Sequence, residues 1–93
     1  MAALPSPSAE MPAVFRRKGF RYGFYSNEGD PREPPHVHVS KGDADAKFWL
    51  LPRIELAYNR GHSPPVLREQ ADIVTSRRKL LLEAWNEFFS EGG

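Results

Sequence analysis

The spacing of the apolar residues changes at Gly61. Before this position, apolar and polar residues alternate in short runs, a period of two that is typical of strands with one buried face. After it, apolar residues recur at intervals of three, four or seven, which is the pattern of a helix with one buried side. Because 93 residues make a single domain, the strands and the helix must share one core. The pattern therefore predicts an α+β fold.

The alternating runs predict an antiparallel meander sheet of four to five strands. Turn signals separate these runs: Gly19 and Gly42 suit tight turns, and the segment 26–35 is rich in glycine and proline. Aromatic and β-branched residues dominate the runs themselves, as strands prefer. The predicted strands cover residues 14–16, 20–25, 36–39, 46–51 and 54–59.

A long C-terminal helix is predicted from residue 66 to residue 91, packed on one face of the sheet. Ser63 can cap its free amides, and Pro64 fits its first turn. The simplest interpretation of its apolar stripe is that this side of the helix packs against the sheet. Near Thr75, polar residues and two arginines interrupt the stripe, so the sequence allows either a kinked helix or two successive helices.

Three aromatic residues, Trp85, Phe88 and Phe89, lie close together near the end of the predicted helix. One of them is not expected to fit beneath the sheet. An exposed aromatic ring favours burial against another protein. A homodimer or a complex with a different protein is therefore predicted if one of these rings stays uncovered.

The composition excludes several classes of protein. Without cysteine, the chain has no disulfide, thiolate metal site or thiol nucleophile, and this favours the reducing cytoplasm. No apolar run approaches the roughly 20 residues needed to cross a membrane. Residues 1–11 have little to bury and are predicted to form a disordered extension, which leaves 12–93 as a single cytoplasmic domain.

The most distinctive motif is Pro-Pro-His-Val-His-Val at residues 34–39. Two prolines impose an extended entry to a strand. Strand alternation then points His36 and His38 to one face and the two valines to the other. If the valines face the helix, the imidazoles are expected to face water.

The following strand extends this outer face. Lys47 and Trp49 share one of its sides, and Phe48 lies on the other. Aligning Phe48 with the valines would place Lys47 and Trp49 beside the two imidazoles. Arginine binds phosphate and aromatic rings stack on bases, so a basic hairpin with interleaved aromatic residues suits a nucleic-acid backbone. The predicted binding residues are Arg16, Arg17, Arg21, His36, His38, Lys47, Trp49, Tyr58 and Arg60.

The histidine pair allows three interpretations. In an enzyme, His36 and His38 would act as general base and acid while Lys47, Arg60 or Tyr58 steadies a phosphate, in metal-independent cleavage of RNA. In a metal site, His62 or an acidic residue would be the third ligand, but none has a diagnostic spacing. In a binding protein, the imidazoles would bond to neighbours or contact a partner. No metal and no cofactor is predicted, and the sequence leaves open whether the protein is an enzyme.

Several motifs occur in a fixed order: MPAV at 11–14, FYSNE at 24–28, PPHVHV at 34–39, KFWL at 47–50, ELAYNRG at 55–61 and LLEAWNEFF at 81–89. Together they resemble a family of short bacterial proteins that is grouped as a domain of unknown function and marked by a proline-histidine-valine-histidine-valine signature. The resemblance implies no established activity. It implies one component of a two-gene unit of the toxin–antitoxin type suspected for that family, with a small protein encoded nearby or RNA as the partner. The alternative is a ribonuclease toxin that uses the two histidines.

Overall fold

The fold is an antiparallel sheet followed by two helices, and a computed structural model describes it for residues 12–25 and 33–89. Sheet order follows chain order, and every neighbouring pair of strands is antiparallel. The predicted α+β fold with a meander sheet is confirmed. The predicted extension at residues 1–11 lies outside the described residues. The elements are β1 (Ala13–Arg17), β2 (Phe20–Gly23), β3 (His36–Lys41), β4 (Ala44–Trp49), β5 (Glu55–Arg60), α1 (Pro64–Ser76) and α2 (Arg78–Phe89).

Two successive helices, and not one kinked helix, follow the sheet. The first ends at Ser76, whose hydroxyl donates a hydrogen bond to the carbonyl of Ile73 at 2.9 Å. Such a bond competes with helix continuation. Arg77 then leaves helical geometry, with φ −108° and ψ 17°. The second helix is tied to the sheet at its start, because Arg78 Nε donates to the carbonyl of Leu50 at 2.8 Å. Neither helix is long and apolar enough to cross a membrane.

The two helices pack on the face of the sheet that carries the valines, named here the valine face. Ten apolar residues form one buried cluster that joins this face to the helices. At its edge, Phe15 stacks on Tyr22 with ring centroids 4.6 Å apart, and Arg77 lies over the Phe15 ring. The cluster consists of Tyr22, Phe24, Val37, Val39, Ala46, Phe48, Leu50, Val74, Leu81 and Trp85.

The strand register matches the predicted alignment. Val37 lies opposite Phe48, and His38 lies opposite Lys47. Directly opposite residues of antiparallel strands project to the same face. The side chains of His36, His38, Lys47 and Trp49 therefore share the face opposite the valines.

Candidate functional site

The face opposite the valines is named here the histidine face, and the register defines its members. It crosses all five strands, from Arg16 on β1 to Arg60 on β5. Every predicted binding residue except Arg17 lies on it. Its charged, aromatic and polar members are Arg16, Arg21, His36, His38, Ser40, Asp45, Lys47, Trp49, Glu55, Tyr58 and Arg60.

Arg17 lies apart from the other predicted binding residues. It is paired with Phe20 on the valine-face side of the hairpin, because alternation turns adjacent residues to opposite faces. There it lines a shallow polar groove together with Glu69 and Asp72 of α1. Arg17 therefore cannot act with the histidines, although it follows Arg16 directly in the chain.

His36 is fully buried, with 0% of its surface exposed. Its Nδ1 donates a hydrogen bond to the carbonyl of Pro34 at 2.8 Å. Its ring centroid lies 5.6 Å from that of Trp49 and 4.8 Å from that of Trp85 in α2. The second helix thus reaches His36 at the end of the sheet, and the ring is held between two indoles.

His38 is 3% exposed and lies next to His36, with ring centroids 5.1 Å apart. The edge of the Tyr25 ring contacts it at a centroid distance of 4.4 Å. Its Nδ1 lies 3.3 Å from the hydroxyl oxygen of Tyr58 and 3.6 Å from Oδ1 of Asp45. The orientation of the His38 ring is therefore fixed by the polar groups at Nδ1 and by the aromatic ring packed against it.

The expectation that both imidazoles face water is wrong. The alternation correctly places them together and opposite the valines, but aromatic rings surround them. Tyr25, Trp49 and Trp85 contact the imidazoles and contribute to their burial. The two histidines consequently lie below the exposed surface of the histidine face. They do not form an exposed pair of a general acid and a general base.

Asp45 joins His38 and Tyr58 in a small polar network that the sequence analysis missed. The Tyr58 hydroxyl donates to Oδ2 of Asp45 at 2.6 Å, which leaves its oxygen able to accept a bond from His38 Nδ1. Burial acts to raise the pKa of the Asp45 carboxyl, but the neighbouring His38 ring and the hydrogen bond from Tyr58 outweigh it and lower that pKa overall. Burial and Asp45 raise the pKa of the Tyr58 hydroxyl. The network therefore holds a carboxylate beside a neutral phenol.

Lys47 is engaged by neighbours and is 14% exposed at its side chain. Its Nζ donates to Oε1 of Glu33 at 3.1 Å and lies 4.5 Å from the centre of the Trp49 ring. The predicted phosphate contact would require Lys47 to leave Glu33. Arg60 lies 5.5 Å from the Tyr58 ring centre and is exposed, as is Arg16. These two arginines are the more accessible cations of the histidine face.

The third histidine has a structural contact on the other side of the sheet. His62 packs its ring 5.5 Å from that of Phe20. Its Nε2 donates to the carbonyl of Val39 at 3.0 Å, and its Nδ1 accepts from Gln70 Nε2 at 3.4 Å. It therefore fastens α1 to β3 and is not a third ligand for His36 and His38. Within residues 12–25 and 33–89, no three histidine or acidic residues are grouped to hold a metal ion.

The crowded aromatic residues of α2 are distributed as predicted. Trp85 is buried, Phe89 is half-buried, and 41% of Phe88 is exposed. Phe88 forms one wall of an apolar groove of about 390 Å³ between β1 and α2. The other residues that line this groove are Pro12, Ala13, Val14, Phe24, Ala84 and Glu87.

Comparison with known proteins supports a family but no activity. No curated protein and no solved structure matches the chain. The model of one protein family, described as domain of unknown function DUF4160, matches residues 19–86. The matched segment begins at the turn between β1 and β2 and includes the remaining strands, α1 and most of α2. It contains both histidines and the Asp45–Tyr58 pair of the histidine face. Because this match covers well over half of the sequence, the chain belongs to the DUF4160 family.

Proposed function

We propose that this protein binds single-stranded RNA through the histidine face, as one component of a two-gene regulatory module of the toxin–antitoxin type. One observation carries the proposal. The register gathers basic residues from four of the five strands onto the face opposite the helices, beside the rings of Trp49 and Tyr58. The proposed regulatory context rests on the resemblance of the sequence motifs alone.

The chemistry of this face suits a single strand of RNA. Arg16 and Arg60 stand on the two edge strands, with the aromatic rings between them. Exposed arginines bind phosphates through charge, whereas aromatic rings stack on bases without regard to sequence. Lys47 would exchange Glu33 for a phosphate when RNA arrives. RNA binding therefore uses an existing surface and needs no rearrangement of the sheet.

The buried histidines have a supporting role in this proposal. His36 positions Trp49 through an edge-to-face contact with an interplanar angle of 87°. His38 similarly holds Tyr58 through the bond to its hydroxyl oxygen. Fixed aromatic rings lose less side-chain entropy on binding than mobile ones. The histidines thereby preorganise the rings on which bases stack.

A triple variant tests the proposal. We expect Arg16→Ala/Arg21→Ala/Arg60→Ala to weaken binding of a fluorescent single-stranded RNA roughly tenfold or more, because phosphate contacts are lost. Fluorescence anisotropy over a salt series measures the effect. The slope of log affinity against log salt should fall by about 0.7 for each phosphate contact removed.

The chain offers a control with the same change in charge. Arg17→Ala/Arg68→Ala/Lys79→Ala removes three cations from the hairpin's other side and from the helices. We expect nearly unchanged affinity for this control. Equal losses in both triple variants, or no salt-dependent binding by the native protein, would contradict the proposal.

A ribonuclease is the second candidate, and the network at His38 favours it. Asp45 and Tyr58 lie at Nδ1 of His38, an arrangement that orients an imidazole for proton transfer at Nε2. Because His38 is buried, cleavage would also require the Tyr25 ring that covers it to move. The same RNA incubated with EDTA near pH 7 distinguishes the candidates. Cleavage by the native protein that is lost in folded His36→Ala/His38→Ala protein supports the enzyme. Binding without cleavage supports the RNA-binding module.

A further inference from the structure

The fifth strand, β5, forms an exposed edge of the sheet. Among the described strands, β5 has a neighbour on one side only, and five of its six residues are exposed. The outer edge of such a strand carries N–H and C=O groups that can pair with another strand. Leu56 within it is 44% exposed, and Leu51 just before it is 41% exposed. Within the described part of the chain, the edge therefore combines backbone groups that no second strand pairs with and exposed apolar side chains.

A bulge gives this edge a self-complementary pattern of charge. Lys47 pairs with Tyr58 and Phe48 with Leu56, so Ala57 is an extra residue in β5. Residues five apart in a regular strand project to opposite faces. The extra residue changes this parity: Glu55, opposite Trp49, and Arg60, opposite Asp45, both project to the histidine face.

Two copies of β5 fit together in one antiparallel register. Related by a two-fold axis, Glu55 of each copy lies opposite Arg60 of the other, and Leu56 lies opposite Asn59. Opposite partners share a face in this register because of the bulge, so both histidine faces lie on the same side. A shift of one residue would bring side chains of opposite faces together. Oppositely charged cross-strand pairs stabilise antiparallel strands, and this register contains two of them.

The apolar residues favour the same arrangement. Leu56 lies on the valine face, opposite Phe48. In the paired strands each Leu56 side chain lies on the valine face next to Asn59 of the other copy, which covers part of its exposed surface. The other edge strand, β1, is less suited to self-pairing because Arg16 and Arg17 are followed by Lys18, which bonds to Glu69 of α1. A second copy of this chain is therefore the occupant that the β5 edge fits.

We propose that the protein forms a homodimer in which β5 of one copy pairs antiparallel with β5 of the other. The two sheets become one continuous sheet, and their histidine faces form one surface. This dimer does not require RNA, but it shares Arg60 with the proposed RNA surface, so its association is measured without RNA. It assigns Glu55, Leu56 and Arg60 to the interface.

Charge exchange tests the dimer. We expect Glu55→Arg alone and Arg60→Glu alone each to weaken dimer association about tenfold or more, because like charges then lie opposite each other. The double variant Glu55→Arg/Arg60→Glu restores the opposite charges and should return association to near the native level. Sedimentation equilibrium over a range of protein concentrations measures these constants.

The helices supply a matched control. Lys79→Glu/Glu83→Arg exchanges an exposed pair of charges on α2 and should leave association unchanged. A native protein that remains monomeric at every concentration would overturn the proposal, and so would a double variant that associates no better than the single variants. A protein that dimerises but does not bind RNA would contradict the proposed function and leave the dimer proposal standing, so the two proposals can fail separately.

Discussion

Replacement of Trp85 by alanine is expected to lower the free energy of unfolding by about 3–5 kcal/mol, the usual cost of removing a buried tryptophan. Trp85 is 1% exposed and joins α2 to the end of the sheet. Its ring lies 5.1 Å from Phe24, 4.8 Å from His36 and 4.3 Å from Phe89, measured between centroids. The variant leaves a cavity among these rings and removes one of the two indoles that enclose His36. Urea unfolding followed by circular dichroism measures the loss.

Phe88→Ala is the matched control, because it removes an aromatic ring from the same helix at an exposed position. We expect a loss of about 1 kcal/mol or less for this variant. Trp85→Phe should lie between the two, since a smaller ring still fills part of the site. Similar losses for Trp85→Ala and Phe88→Ala would show that α2 does not pack as described.

Most of the sheet was predictable from local pattern. In β3, alternation separated His36 and His38 from the valines, and in β4 it separated Lys47 and Trp49 from Phe48. Glycine turns between short strands left few possible pairings, so the register followed from matching the apolar residues. Parity and register are properties of neighbouring residues, and for this reason a single sequence is enough to give them.

The burial of the histidines was not predictable in the same way. Alternation states which face a side chain occupies, but it carries no information about what covers that face. His36 is covered in part by Trp85, which lies 49 positions later in the chain and belongs to the opposite layer. His38 is contacted by Tyr25, just beyond the end of β2. Contacts of this kind depend on the curvature of the sheet and on where each element ends.

The sequence was sufficient to predict that Asp45 belongs to the histidine face. It alternates with Lys47 and Trp49 in the same strand, and parity alone puts it on the histidine face. The bulge at Ala57 could not have been predicted from the sequence, because nothing in the alternation of β5 marks an extra residue. That bulge is what places Tyr58, Glu55 and Arg60 on one face. The polar network and the proposed dimer interface both depend on it.

Replacement of Asp45 by alanine is expected to lower the free energy of unfolding by about 1–3 kcal/mol near neutral pH, the usual cost of leaving one buried polar group without its partner. The Tyr58 hydroxyl loses the acceptor of its hydrogen bond, and His38 loses a neighbouring negative charge. Asp45→Asn keeps an oxygen that can accept the Tyr58 bond, so its loss should be smaller. Urea unfolding of the three proteins under the same conditions measures both differences.

The same network determines how stability responds to acid. Because the pKa of Asp45 is lowered in the folded state, the folded protein favours the carboxylate more than the unfolded chain does. The resulting stabilisation is complete above the ordinary aspartate pKa of 3.8 and is lost as pH falls through the lower folded-state pKa. Other carboxyl groups titrate in the same range, but they are common to the native protein and Asp45→Asn. The difference in the free energy of unfolding between the native protein and Asp45→Asn should therefore be constant near neutral pH and should become smaller only in strong acid. A difference that did not change with pH would show that Asp45 acts through its shape and hydrogen bonds, and not through its charge.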